Sequence, residues 1–356
     1  MRITSRKALA AWLDNLAQHV TLIAPRLVEN ELLYRPVTSS AEIVFDFERT
    51  VLSPKEFLLP DTQVILEVER RGREVTLAEP TLPREQVIFG VRPCDARAFR
   101  ALDALLLDRA PADAYYAERR ERTVLIGLAC PHLWNDCFCT SLGGAPDDPS
   151  GMDLMLYEQD GAYLVQAITD RGGSLLDGLD AQDTDRAAPA SDPTGERVPV
   201  LPPEAWGALF DHPYWQRLAE RCLSCRACTY VCPTCRCFDV RDDTTAAGAG
   251  YAHIQRLRAW DSCLADAYRR IAGGHNPRPS KAQRLRNRYY CKFCYSPTDF
   301  GAVACVGCGR CIAACPVAID ITEMLWSIAR AATMPSEAAA DVASLGIGDR
   351  EAGRNL

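Results

Sequence analysis

The 356-residue chain reads as an α+β protein. A mixed α/β domain is expected over residues 1–177, a linker at 178–203, a helical domain at 204–333 and a flexible tail at 334–356. Three observations predict this. In the first half, short runs rich in Val, Ile and Leu alternate with a segment of helical spacing. Residues 178–203, GLDAQDTDRAAPASDPTGERVPVLPP, are rich in Asp, Pro and Ala and carry no period, as a linker does. Beyond them apolar residues recur three and four apart, and one cysteine pattern appears twice.

Taken in order, Leu9, Trp12, Leu13, Leu16 and Val20 mark one face of an opening helix. QVILEVER (63–70), EQVIFGVRP (85–93) and RTVLIGLAC (122–130) are strand candidates. DARAFRALDALLLD (95–108) has helical spacing and completes a strand–helix–strand unit. LMLYEQDGAYLVQAI (154–168) reads as a hairpin turning at Asp160-Gly161. In the second half, EAWGALF and YWQRLAERC lead into a cysteine-rich stretch. IQRLRAWDSCLADAYRRI (254–271) is expected to be a helix with Ile254, Leu257, Trp260, Leu264, Tyr268 and Ile271 on one side. ITEMLWSIARAA (321–332) follows Asp320 and has Glu323 three residues later, a capping box. The small, polar tail is expected to fray.

Composition narrows the function. A formal charge of −7 argues against nucleic acid, whose phosphates need a basic surface. No run of about 18 apolar residues is present to span a membrane. The N-terminus starts basic but lacks an apolar signal core, because Asp14 and Asn15 interrupt it. A soluble, cytoplasmic protein is expected. Seventeen cysteines form an odd set in a long chain without a secretory signal, which points away from disulfides and towards metal.

The decisive pattern is C-x2-C-x2-C-x3-C-P. It occurs as CLSCRACTYVCP (222–233) and again as CVGCGRCIAACP (305–316). A cubane 4Fe–4S cluster needs one thiolate per iron. A tight loop supplies three of them, at i, i+3 and i+6, and aims backbone N–H groups at the anionic sulfurs. In two-cluster ferredoxins the fourth cysteine of each run serves the other cluster. By that logic Cys222, Cys225, Cys228 and Cys315 hold one cluster, and Cys305, Cys308, Cys311 and Cys232 hold the second. Zinc sites more often pair two C-x2-C knuckles across a longer loop. Gly307 and Gly309 let the second loop adopt positive φ. Arg226 and Arg310 either offset cluster charge or are solvated. Two such clusters pass electrons singly, without breaking substrate bonds, so no catalytic residue is expected.

Nine cysteines remain. Cys94 follows one strand candidate and opens a helix, Cys130 ends the next strand, and Cys137 and Cys139 lie in a CFC loop. The carboxyl ends of parallel strands share a rim. The four thiols, with Asp95 as an oxygen ligand, are therefore expected to converge on a third iron centre, either mononuclear iron or a further Fe–S cluster. The plainer alternative makes Cys94 and Cys130 small buried hydrophobes. Cys235 and Cys237 are expected to pack beside the first cluster as non-ligands, Cys263 to be a helix core residue, and Cys291 and Cys294 to be free thiols. Of five histidines only His132 lies near a cysteine. No dinucleotide or P-loop fingerprint appears. NPRPSKAQRLRNRYYCK (276–292) carries six basic residues and no acid, either a solvated face or a docking strip.

Together GVRPCDARAF, CFCTSLG, CPTCRCFDV, AWDSC and CVGCGRCIAACP, with SPKEFLLPDTQ at 53–63, resemble the β subunit of cytoplasmic NiFe hydrogenases of the sulfhydrogenase type. That family includes the A subunit of anaerobic sulfite reductases. The resemblance implies a ferredoxin-like second domain with two 4Fe–4S clusters in an electron-wiring subunit. Its implied partners are a flavin-containing NAD(P)H diaphorase subunit and the NiFe hydrogenase small and large subunits, or else sulfite reductase subunits. It also implies that Cys94, Cys130, Cys137 and Cys139 ligate iron. Cys291 and Cys294 depart from it, standing where members tend to have HKF-x-Y.

Overall fold

The computed structural model describes residues 1–80, 84–190 and 197–333; the tail expected at 334–356 and part of the expected linker lie outside them. Its strands are β1 (Arg2–Ser5), β2 (Thr21–Val28), β3 (Glu31–Pro36), β4 (Thr62–Arg71), β5 (Glu74–Ala78) and β6 (Gln86–Val91), then β7 (Thr123–Leu128), β8 (Leu154–Gln159), β9 (Ala162–Ala167), β10 (Gln182–Asp183), β11 (Phe238–Gly248) and β12 (Tyr251–Trp260). An eight-stranded sheet has the order β10-β1-β9-β8-β7-β6-β2-β3. Its centre, β2-β6-β7-β8, is parallel and its flanks are antiparallel.

Every residue of QVIFGV in β6 is buried, as a strand covered on both faces requires. Val87 and Phe89 join one core with Leu9, Trp12 and Leu13 of the helix Arg6–His19. Ile88 and Val91 join the opposite core with Ala96, Phe99 and Leu102 of the helix Pro93–Leu106. The side-chain parity changes between Phe89 and Val91 because the register shifts there, at Gly90, whose φ is +78°; this is a β-bulge. Each large side chain so buried contributes about 1.5–3 kcal/mol. The β8–β9 hairpin turns at Asp160 and Gly161, both at positive φ, as a two-residue turn matched to strand twist demands. The β2–β3 hairpin was not foreseen. It turns at Glu29 and Asn30, also at positive φ.

A second sheet, β11-β12-β4-β5, is wholly antiparallel. It pairs residues 62–78 with residues 238–260, so both halves of the sequence share it. Here the expected helix over 254–271 is corrected: Tyr251–Trp260 is a strand. Its apolar residues fall on both faces of the strand, which imitates helical spacing. Polar pairs run across it, with Arg256 on Asp242 at 2.7 and 2.8 Å and Gln255 on Glu67 at 3.1 Å. The available signal was the glycine-rich AAGAG turn, where Gly250 has φ +74°.

The helices Tyr214–Arg221, Lys281–Tyr290 and Ile321–Thr333 do form in the second half. They enclose a core of Trp206, Trp215, Tyr289, Phe293, Met324 and Ile328. The last helix is capped by Asp320, which accepts from the Thr322 amide at 2.7 Å. Glu323 pairs with Arg221 at 2.8 Å, so only half of the expected capping box is seen.

Candidate iron–sulfur sites

The two cysteine repeats adopt the same backbone. Ser224 and Arg226 have φ of 57° and 68°, and the equivalent Gly307 and Gly309 have 66° and 73°. Left-handed residues alternating with cysteines turn successive N–H groups inward, making an anion-binding concavity. Each loop runs into a single helical turn, Ala227–Tyr230 or Arg310–Ala313. Two backbone amides already donate to thiols: Ser224 to Cys222 Sγ at 3.3 Å and Ile319 to Cys315 Sγ at 3.2 Å.

Two recesses adjoin these loops. One, about 480 Å³ including its mouth, is lined by Cys222, Cys225, Cys228, Cys311 and Cys315. The other, about 310 Å³, is lined by Cys305, Cys308, Cys311 and Cys232. The last cysteine of each repeat thus lines the recess beside the other repeat's loop, and Cys311 lines both recesses. Burial pushes the thiol of Cys305 up to about 11 and that of Cys308 up to about 12, against the opposing pull of Lys292 and Arg310 respectively. Cys232 is held well below the usual thiol range by the Cys235 hydrogen bond and then, against burial, by Lys292.

Cations surround the recesses, and three of them come from the basic stretch 276–292. Arg288 lines both recesses and is 3% exposed. Lys292 Nζ lies 3.1 Å from Cys232 Sγ, and Lys281 Nζ donates to the Cys222 carbonyl at 2.8 Å. With Leu285, these residues occupy one face of the helix and its continuation, at spacings of four, three and four. That spacing is a helical-wheel signal present in the sequence itself. Arg284 and Arg286 pair instead with Asp266 and Asp211. Lys55, also unforeseen, is 2% exposed and donates to the carbonyls of Cys232 and Cys235 at 3.1 and 2.8 Å.

Cys94 and Cys130 follow the ends of β6 and β7 at the rim of the large sheet. Parallel β6 and β7 end side by side, and Arg92 ties their ends by donating to the Leu128 and Ala129 carbonyls. Burial raises Cys94 well above the usual thiol range, and the charges of Asp95, Cys308 and Cys130 add to the effect. Burial likewise pushes Cys130 up to about 12 despite Arg92, with Cys137 and Cys139 nearby. Asp95 is placed otherwise than expected. It is fully buried, and its two oxygens accept from Arg310 at 2.7 and 2.8 Å. Arg310 is itself 2% exposed, so it is not solvated. Arg226 is exposed. His132 packs on Trp134, with ring centroids 5.2 Å apart. Among the described residues, no three Cys, His, Asp or Glu side chains surround a single point as ligands of one ion would.

The CFC loop lies directly on the second repeat. The Phe138 amide donates to the Gly307 carbonyl at 2.9 Å, and a Cβ on Gly307 would stand 2.5 Å from the Cys139 nitrogen. Gly307→Ala is therefore expected to force this contact apart and to strain a left-handed residue. The cost is about 2–3 kcal/mol, read as a lower denaturation midpoint of the anaerobic protein; an unchanged midpoint would disprove the close packing.

Of the remaining cysteines, Cys263 is not in a helix, and its thiol hydrogen-bonds that of Cys237. Cys291 opens a π-helical turn, Cys291–Tyr295, and Cys294 Sγ lies 3.7 Å from the Pro203 carbonyl.

Paired thiol recesses fed by a duplicated loop, on an α+β frame, are the mark of a two-cluster iron–sulfur protein. In agreement, residues 221–319 match the family described as 4Fe-4S dicluster domain. Over 305 residues the chain is 33% identical to sulfhydrogenase 2 subunit beta of Pyrococcus furiosus, a match covering 82% of this chain and 87% of that one. The chain belongs to the sulfhydrogenase β-subunit family. No solved structure matches it. Among the described residues, no helix is long and apolar enough to cross a membrane.

Proposed function

We propose that the chain is the electron-wiring subunit of a cytoplasmic NiFe hydrogenase complex, set between a flavin subunit that handles NAD(P)H and the NiFe small and large subunits. Cys222, Cys225, Cys228 and Cys315 hold one 4Fe–4S cluster, and Cys305, Cys308, Cys311 and Cys232 hold the other. When bound, such clusters supply one-electron chemistry. The chain's own residues fix the thiols, exclude water and set the local field. Arg288, on the wall of both recesses, favours the more negative, reduced state of each.

The observation that carries this reading is the crossed lining of the two recesses. The expected organisation, residues 1–177 and 204–333 joined through 178–203, suits it, with the first part presenting a further thiol site to the second. We assign that site to Cys94, Cys130, Cys137 and Cys139 as a third iron centre. Asp95 serves there to hold Arg310, which anchors the second repeat.

Anaerobic affinity purification tests the whole reading. The chain should bring down flavin and NiFe subunits and contain at least about eight irons with matching sulfide. A sirohaem protein in their place would reassign it to a sulfite reductase. A folded, iron-free or zinc-loaded chain would refute the electron-transfer role.

A further inference from the structure

Four cysteines outside the two repeats, and outside the first-half set, come together beside the second recess. Cys235 and Cys237 lie in the turn that leads into β11. The β11–β12 hairpin carries the chain out and back, and the Asp261 amide closes its base on the Cys237 carbonyl at 2.9 Å. The hairpin thereby delivers Cys263 to Cys237, and their side chains are hydrogen-bonded; Tyr268 also hydrogen-bonds the Cys237 thiol. Cys263 lies within the electrostatic reach of Cys235 and Cys291 as well. Cys291 stands at the start of the π-helical turn; such turns recur at functional sites.

A second, independent observation concerns charge. Lys55 and Lys292 are both buried, and burial, with the charge of Lys292, disfavours the charged form of Lys55. Among the described residues, neither forms an ion pair with a carboxylate. Lys55 bonds the Cys232 and Cys235 carbonyls, and lies 3.8 Å from the Trp260 ring centre. Lys292 bonds Thr234, the Ala304 carbonyl and the thiols of Cys232 and Cys235. Two desolvated ammonium groups side by side cost several kcal/mol each unless negative charge is supplied nearby. Only one of the thiols they touch, Cys232, belongs to a repeat. Cys235 brings their field onto the second group of cysteines.

We infer that Cys235, Cys237, Cys263 and Cys291 hold an additional iron–sulfur cluster, adjoining the one served by Cys232. Each thiol would surrender its proton on binding, and the resulting anionic cluster would neutralise Lys55 and Lys292. The hairpin of the second sheet then has a definite task, since it clips Cys263 onto Cys237. The inference rests on the iron–sulfur reading of the chain but not on the partners proposed for it. It leaves Cys294 without a ligand role.

The test compares full-length protein, purified anaerobically, with the double variant Cys237→Ser/Cys263→Ser and the control Cys294→Ser. The double variant should lose about four irons and four sulfides per chain, while the electron paramagnetic resonance of the two repeat clusters persists and the control matches the unaltered protein. Unchanged iron in the double variant, equal loss in the control, or zinc in place of iron would overturn the site. If the double variant does not fold, native alkylation of the unaltered protein decides. Cys235, Cys237, Cys263 and Cys291 should resist iodoacetamide until iron is stripped; immediate alkylation, or a Cys237–Cys263 disulfide, would refute the cluster. Cys228→Ser separates the two levels of argument, because it should lose iron whenever the two-cluster reading holds, whatever becomes of the additional site.

Discussion

Cys315→Ser is expected to abolish the cluster that depends on Cys222, Cys225 and Cys228, while the cluster beginning at Cys305 survives. Cys232→Ser should do the reverse. Both follow from the lining of the recesses, where each repeat's last cysteine stands among the other repeat's first three. Each variant should lose about four irons. Serine is a poorer ligand than thiolate, so a cluster retained by it would be labile. Since each cluster pins segments far apart in sequence, its loss should also cost stability, because free energy of metal binding is here free energy of folding. Resonance spectra of the reduced variants read the outcome. Loss of the signal belonging to the mutated residue's own loop would show that the ligands are not exchanged.

The sequence made the repeats legible because loop geometry and thiol chemistry are local and stringent. The opening helix, β6, β7 and the Asp160–Gly161 turn were legible for a similar reason, since burial imposes period and turns impose residue type. What escaped was decided over long separations. β12 is bound to β4 and β11 by polar pairs, such as Gln255 with Glu67 and Arg256 with Asp242, so no apolar stripe announced a strand. Asp95 looked like a ligand because it follows Cys94. Its partner, Arg310, lies 215 residues away, and nothing near either residue reveals the pair. Lys55 was hidden in the same manner, whereas Arg288 and Lys292 were concealed only by reading a basic run as surface. Buried cations without obvious acids are what a cluster-binding protein requires, and composition alone does not distinguish them from solvated ones.

The Asp95–Arg310 pair gives the other large expected effect. Both side chains are essentially inaccessible to water, and Arg310 is further fixed by Thr50, donating to its carbonyl at 2.9 Å and its hydroxyl at 3.2 Å. The pair joins the rim of the large sheet to the loop bearing Cys308 and Cys311. Asp95→Ala would strand a buried guanidinium and should cost about 3–5 kcal/mol. Arg310→Met would strand the carboxylate at a similar cost. Removing both partners leaves neither charge unpaired, so the double variant Asp95→Ala/Arg310→Met should be far less destabilised than the two single costs added together. Denaturant titration of anaerobic protein measures that coupling; additive costs would mean that the pair does not anchor the halves. Iron content of the same four proteins separates anchoring from ligation. If Asp95 acts only through Arg310, the double variant should recover the iron of the Cys94 site along with its stability. If the carboxylate binds iron directly, stability would return and that iron would not.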